Sequence, residues 1–210
     1  MDENKLNILT PFGPSIAKIK IPEKIIKLLN DHVDETRASE KKSKEFDAGK
    51  SLIGNVTQEI LLDPKIIKES GWLTFLANAT RAWIKSVTGT EITKFNINSS
   101  WVISQYANEY NPTHWHSGHI SGAGFLKVPS TFGKTIQEDK RNLNGQLTLL
   151  HGQRAFMSDS QFKIIPKVGD FYIFPHYLMH SVYPFVGTDE ERRSISFNGV
   201  VDEKTFDVFV

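Results

Sequence analysis

Thr113-His114-Trp115-His116-Ser117-Gly118-His119, followed closely by Ser121-Gly122, carries three of the chain's seven histidines within six positions. Extended chain alternates its side chains between two faces, so His114 and His116 are expected on one side of a strand and Trp115 on the other, in packing. Two imidazoles on one face can reach a single metal ion, and neutral imidazole suits iron, zinc, copper and nickel. A third ligand must come from elsewhere. His180, in Phe174-Pro175-His176-Tyr177-Leu178-Met179-His180-Ser181-Val182, is the best placed. Further on, Glu191-Arg192-Arg193-Ser194-Ile195-Ser196-Phe197-Asn198 alternates as a strand does and sets an arginine and hydroxyls on one face.

The rest of the chain supplies a scaffold of two textures. With 210 residues it suits one domain, 1–210, in which 1–90 is mainly a helical bracing region and 91–210 is the strand-rich core. Pro22 stands where a helix would begin, and Ile25, Ile26, Leu28, Leu29 and Val33 follow at helical period. His32 on that helix reads as boundary packing. Between Asp34 and Ser51 the mixed charge predicts a solvated loop or helix face, with a segment covering a substrate opening as the alternative. Asn55 to Leu62 is ambiguous. Asp63-Pro64 has the form of an N-cap and a first-turn proline. Trp72, Phe75, Leu76, Ala79, Ala82 and Trp83 repeat at helical spacing between Gly71 and Gly89, so their aromatics are expected in the core.

Ahead of the first helix, Thr10-Pro11-Phe12-Gly13-Pro14 reads as a turn and Ile16 to Ile21 as a short strand. After Gly89, β-branched and aromatic residues dominate Thr93 to Tyr106, and turn signals such as Asn144-Gly145 and Gly169-Asp170 separate short apolar runs. Helices followed by some eight short strands predict an α+β fold with an antiparallel barrel or sandwich.

Composition narrows the partners. Lys and Arg number 25 against 24 Asp and Glu, a net charge of +1, so the overall field asks for neither nucleic acid nor an anionic membrane. The start Met1-Asp2-Glu3-Asn4-Lys5 lacks a leader pattern, and no apolar run approaches the roughly 20 residues of a membrane span. A protein of the cytoplasm is the expectation. There is no cysteine, so any metal must be held by nitrogen and oxygen.

A His-x-His pair alone is a modest signal, because a strand histidine is often only a satisfied polar residue. A distant third histidine on another strand strengthens it. His119 would replace His116 as ligand if the segment turns. His176 precedes His180 by four, which makes a pair only on a helix, and the flanking prolines argue for extended chain. His151, beside Gly152, reads as a loop residue. Three zinc-type patterns fit less well. Gly118 stands where the His-x-His-x-Asp-His run of metallo-β-lactamase-like hydrolases has aspartate. The chain is too short and strand-rich for an amidohydrolase barrel. A carbonic-anhydrase-like triad leaves the Arg192 strand unexplained.

One order of residues takes in the whole constellation: Asn98-x-x-Trp101, His114-x-His116, Ser121-Gly122 leading to Lys127-Val128-Pro129, Pro166-x-x-Gly169-Asp170-x-x-x-Phe174-Pro175, His180-Ser181-Val182, and Glu191-Arg192-x-Ser194-Ile195-Ser196-Phe197-Asn198. It resembles the 2-oxoglutarate- and Fe(II)-dependent oxygenases of bacteria and their phages, within the prolyl-hydroxylase-like superfamily. The resemblance covers roughly residues 95 to 200, with weaker similarity in the helical part.

That resemblance implies a double-stranded β-helix, a jelly roll of cupin type, with Fe(II) at its open end. It implies His114, His116 and His180 as metal ligands and catalytic centre, and 2-oxoglutarate held by Arg192 and Ser194. Where relatives often place a tyrosine that touches this cosubstrate, the chain has Phe125. His116 stands where the wider superfamily has Asp or Glu, which leaves the site about one charge more positive, and three histidines would also hold zinc. The implied reaction hydroxylates an unidentified small-molecule or peptidyl substrate with O2, releasing succinate and CO2; halogenation would need a vacancy where His116 stands. A homodimer in the cytoplasm of a bacterium or a phage-infected host is compatible. Two other readings stay open: a cupin-like three-histidine metalloenzyme that does not use 2-oxoglutarate, and a non-catalytic jelly-roll binding or structural protein.

The bottom-up case for the arginine is independent. A guanidinium forks onto a carboxylate with two parallel hydrogen bonds, and Ser194, two residues on, shares the face of Arg192. Arg193 is expected outward in a surface salt bridge, although a one-residue slip of register would exchange the two arginines. Substrate-selecting residues are expected in the loops Asp34 to Ser51 and Thr131 to Asn144.

Overall fold

Helices precede most of the strands, as periodicity predicts, but three short strands of the N-terminal part are stitched into the main sheet. The computed structural model describes residues 6–9, 13–137 and 139–203; Thr10, Pro11 and Phe12 of the expected opening turn, and Glu138 in the loop 131–144, lie outside the described residues. Helix α1 (Glu23–Ala38) follows Pro22, which is its N-cap and not its first helical residue, and it buries Ile25, Leu29 and Val33. The charged run then forms the end of α1 and a short helix α2 (Glu40–Glu45), capped by the Ser39 side chain on the Lys42 N–H. Asp63 caps α3 (Pro64–Glu69) through the Lys65 N–H at 2.7 Å. Helix α4 (Trp72–Thr88) runs between Gly71 and Gly89, whose φ angles of 84° and 74° need a residue without Cβ. Trp72 and Trp83 are buried and Phe75 is half-buried against the core, whereas Ala82 is exposed.

Eleven strands make two sheets among the described residues. The larger contains β1 (Asn7–Leu9), β2 (Ile16–Lys20), β3 (Gln58–Leu61), β4 (Phe95–Gln105), β6 (Ile120–Lys127), β9 (Asp170–Pro175) and β11 (Arg192–Val201), in the order β1-β2-β9-β6-β11-β4-β3. The smaller contains β5 (Asn111–His114), β7 (Leu147–Leu150), β8 (Gln161–Ile164) and β10 (Met179–Val182), in the order β5-β10-β7-β8. Every pairing between these strands is antiparallel, which gives the α+β jelly-roll architecture expected from the sequence.

Two cores follow from the alternation of side chains. On one face of the larger sheet, Ile60, Val102, Phe171, Ile173, Ile195 and Phe197 pack with the apolar stripes of α1 and α4. Gly122 and Gly124 of β6 let aromatic rings lie directly on the strand: a Cβ on Gly124 would stand 2.3 Å from Phe171 Cδ2, and one on Gly122 would stand 2.7 Å from Phe197 Cε1. The opposite face meets the smaller sheet around Phe125, Leu147, Leu149, Ile164, Tyr172 and Phe174. This inner face also carries Arg192, Ser194, Ser196 and Asn198, which are polar residues in the one place where a jelly roll can hold a ligand. No described helix is long and apolar enough to cross a membrane.

Candidate active site

Strand pairing brings the distant histidines together. β10 lies antiparallel to β5 with His180 directly opposite His114. His116 follows beyond the end of β5, and its main-chain N–H donates to the His176 carbonyl at 3.0 Å. The three rings converge, with centroids 4.3 Å (His114 to His180), 4.8 Å (His116 to His180) and 5.0 Å (His114 to His116) apart. One ligand atom from each lies within 4.8 Å of the others, a group that could hold a metal ion.

The hydrogen bonds around the rings suit that role. His114 Nδ1 bonds to the Pro112 carbonyl at 2.7 Å and His180 Nδ1 to the Leu178 carbonyl at 2.9 Å. A carbonyl can only accept, so each Nδ1 carries its proton and each Nε2 presents a lone pair, as in metal-ligating histidines. Burial, and then the neighbouring imidazoles, push His116 down to about 3, while burial and His114 push His180 down to about 4. Burial lowers His114 as well. All three are therefore neutral at physiological pH, the form that binds metal.

Trp115 departs from the expectation. It is 65% exposed instead of packed, because β5 ends at His114 and the strict alternation of a strand ends with it. His119 turns away from the cluster: its N–H donates to the Gly199 carbonyl at 2.9 Å and its Nδ1 accepts from the Val201 N–H at 3.1 Å. His176, in the turn between β9 and β10, bonds to the His119 carbonyl, and His151 lies in a loop.

A cavity runs from the histidines into the sheet interior, where Trp101, Phe125, Arg192 and Ser194 share its walls with His116 and His180. Arg192 is 1% exposed, and its Nη1 donates to Gln105 Oε1 at 3.0 Å and to Ser194 Oγ at 3.2 Å. Its Nε is buried without a partner, and among the described residues no carboxylate pairs with it. The Phe125 ring lies 5.1 Å from the guanidinium carbon, a contact that does not neutralise the charge. Desolvation alone lowers Arg192 to about 9. A buried cation with only neutral partners is costly, and an anion in this cavity would relieve that cost.

Arg193 takes the other face of β11, but not as a surface residue. It is 0% exposed beneath α1, held by Glu191 at 2.8 Å and Asp34 at 2.5 Å and bonded to Asn30. The correction arises because α1 covers the face that the strand pattern alone presents to solvent.

Two polar residues of the site carried no sequence signal. Glu59 on β3 and Asn111 on β5 line the outer pocket together with Trp101, His114 and Trp115. Four-residue β3 is too short for its period to be read, and neither residue belongs to a recognisable motif. Ser51, Leu52 and Ile53 form part of the rim, whereas no described residue of the loop 131–144 lines this pocket.

Residues 99–198 match the sequence model of a family described as "Putative 2OG-Fe(II) oxygenase". No curated protein matches the sequence. Among solved structures, a Pseudomonas putida prolyl-4-hydroxylase is similar with a TM-score of 0.56 and 15% identity, over 89% of this chain and 91% of that one. A viral collagen prolyl hydroxylase from Paramecium Bursaria Chlorella virus-1, solved as a 2OG complex, gives a TM-score of 0.53 and 16% identity over 88% of this chain and 94% of that one. A Trichoplax adhaerens prolyl hydroxylase, solved with a hypoxia inducible factor peptide fragment, gives 0.53 and 14% over 93% and 87%. At such identities the likeness establishes the fold, and the matched segment contains the three converging histidines and both strand arginines. Over that segment, just under half of the chain, the sequence is similar to the 2OG-Fe(II) oxygenase family, and the solved structures show that the fold is shared with prolyl hydroxylases.

Proposed function

We propose that His114, His116 and His180 hold Fe(II), that Arg192 and Ser194 bind the distal carboxylate of 2-oxoglutarate, and that the protein hydroxylates a small-molecule or peptidyl substrate entering past Trp101 and Trp115. One observation carries this reading: a single cavity joins three neutral imidazoles to a buried arginine that has no anionic partner among the described residues. A metal site alone would not call for a guanidinium at the cavity's inner end. Bound there, Fe(II) and 2-oxoglutarate supply O2 activation coupled to decarboxylation, with succinate and CO2 as products.

The chain's own contribution is positioning and exclusion of water. Arg192 offers its fork to one end of a dicarboxylate while Ser194 adds a hydroxyl donor. Gln105 holds the guanidinium in place from the neighbouring strand, and Phe125 fills the wall that faces it. Peptidyl substrates enter the proposal because two of the similar structures are prolyl hydroxylases solved with, or named for, protein substrates. All the proposed ligands come from one chain, so the reading does not need a second copy.

Succinate release in air, with Fe(II) and 2-oxoglutarate supplied, tests the proposal. Slow succinate formation that stops in Arg192→Ala and His180→Ala is expected. Iron-loaded protein that makes no succinate with any candidate substrate would contradict it.

A further inference from the structure

Glu59 is 2% exposed, yet it lies on the wall of the outer pocket and not in the apolar core. It faces Ile103 across the β3–β4 pair, and Ile103 faces Ser194 across the β4–β11 pair, so the carboxyl belongs to the same inner rank as the proposed cosubstrate residues. Its Oε2 has no hydrogen-bond partner, and neither has Asn111 Oδ1, which is buried in the same wall. Both side chains crowd Gly54, where a Cβ would stand 2.8 Å from Glu59 Oε1 and 3.0 Å from Asn111 Oδ1. Two neighbouring buried acceptors without a donor are costly in the protein alone.

The missing partner must therefore bring hydrogen-bond donors, and it must fit the pocket that Glu59 and Asn111 share with His114 and His116. Charge narrows the choice. The three neutral histidines bring no negative charge to this side of the cavity, so a cationic substrate needs an anion of its own in the outer pocket. Glu59 supplies one. Trp101 and Trp115 line the same pocket, and tryptophan is the aromatic residue that best attracts an ammonium or guanidinium.

We infer that the outer pocket selects a substrate carrying a cationic nitrogen, an ammonium or a guanidinium, through Glu59 and Asn111. The inference rests on the oxygenase reading for the location of the reacting centre, but the cation site itself does not depend on it. Glu59 is a specificity-determining residue that would hold the substrate's charged end while a carbon further along it is presented to the metal.

Calorimetry on the full-length metal-loaded protein with 2-oxoglutarate, in the absence of O2, tests this with four probes: N-acetyl-lysine amide, N-acetyl-arginine amide and their uncharged counterparts N-acetyl-norleucine amide and N-acetyl-citrulline amide. At least one cationic probe is expected to bind about tenfold or more tightly than its neutral counterpart, the equivalent of about 1.4 kcal/mol. That preference should vanish in Glu59→Gln, with folding checked by circular dichroism. Equal binding of charged and neutral probes, no binding by either cationic probe, or a preference that survives in Glu59→Gln each overturns the inference. Binding of 2-oxoglutarate in the same titrations is measured separately, so failure of the cation site with intact cosubstrate binding leaves the oxygenase reading standing.

Discussion

His116 Nε2 and His180 Nε2 stand 3.0 Å apart, although 64 residues separate them in the chain. Two donors each about 2.1 Å from a common ion and at roughly a right angle would stand about 3.0 Å apart, so this spacing already suits adjacent positions around a metal. Without an ion, neutral His116 can donate its Nε2–H to the lone pair on His180 Nε2. His180→Ala is expected to abolish stoichiometric binding of Fe(II) or Co(II), and equilibrium dialysis against either ion checks it. Retention of one ion per chain would point to a site elsewhere.

The same two histidines make the metal-free protein sensitive to acid. Their folded-state pKa values, about 3 and about 4, lie below the ordinary histidine value of 6.5. The unfolded chain therefore takes up protons that the folded one refuses, and stability falls as pH drops below about 6.5 towards 4. Melting temperatures of the metal-free protein between pH 7 and 4.5 should decline, and the decline should be shallower in His116→Gln. Parallel curves for the two proteins would refute the assignment.

Glu59 has the opposite sign. Burial, then the charge of Asp47, raises its carboxyl from 4.5 to about 7. An acid whose folded pKa is raised contributes its stability below the unfolded value and loses it as pH rises through the folded one. Glu59→Gln should melt at the same temperature as the parent near pH 4.5 and higher above pH 7, where the carboxyl must otherwise ionise in a buried site. An unchanged difference across that range would show that the carboxyl is not the strained group.

Arg192 and Arg193 should separate cleanly by phenotype. Two charge-assisted hydrogen bonds to a carboxylate are each worth roughly 1.5–3 kcal/mol, so Arg192→Ala is expected to weaken 2-oxoglutarate binding by about a hundredfold or more. Arg192→Lys should recover little of it, because an ammonium lacks the fork. Arg193→Ala instead removes the fully buried cation that ties half-buried Glu191 to Asp34 of α1, leaving Arg37 and Lys127 as the cations on Glu191, and should lower the melting temperature while leaving cosubstrate affinity intact in the folded protein. Calorimetric titration with 2-oxoglutarate and thermal melts of the three variants decide the matter; a loss of affinity in Arg193→Ala equal to that in Arg192→Ala would contradict the division.

Much of this arrangement was legible in the chain because its signals are local. Asp63-Pro64, Gly71 and Gly89 mark helix ends through backbone requirements that no tertiary contact has to supply. The alternation from Arg192 to Asn198 placed the two arginines on opposite faces. What escaped depends on contacts between distant segments. Trp115 is exposed because β5 stops one residue earlier, and the next main-chain N–H to be paired, that of His116, bonds to the distant His176 carbonyl. Arg193 is buried because Asp34 and Asn30 of α1 lie over it, some 160 residues away in sequence. Glu59 sits on a four-residue strand whose direction is fixed by β4 on one side and by residues 46–48 on the other, both distant in sequence.

The joint claim, that the imidazole cluster and Arg192 serve one chelated cosubstrate, is tested most directly by optical titration under anaerobic conditions. Adding 2-oxoglutarate to the Fe(II)-loaded protein should produce a weak visible charge-transfer band that saturates at one equivalent, with Arg192→Ala showing the band only at far higher concentration. A wild-type protein that binds iron yet develops no band, or one whose band is indifferent to Arg192, would contradict the account and favour a three-histidine metal site that does not use 2-oxoglutarate.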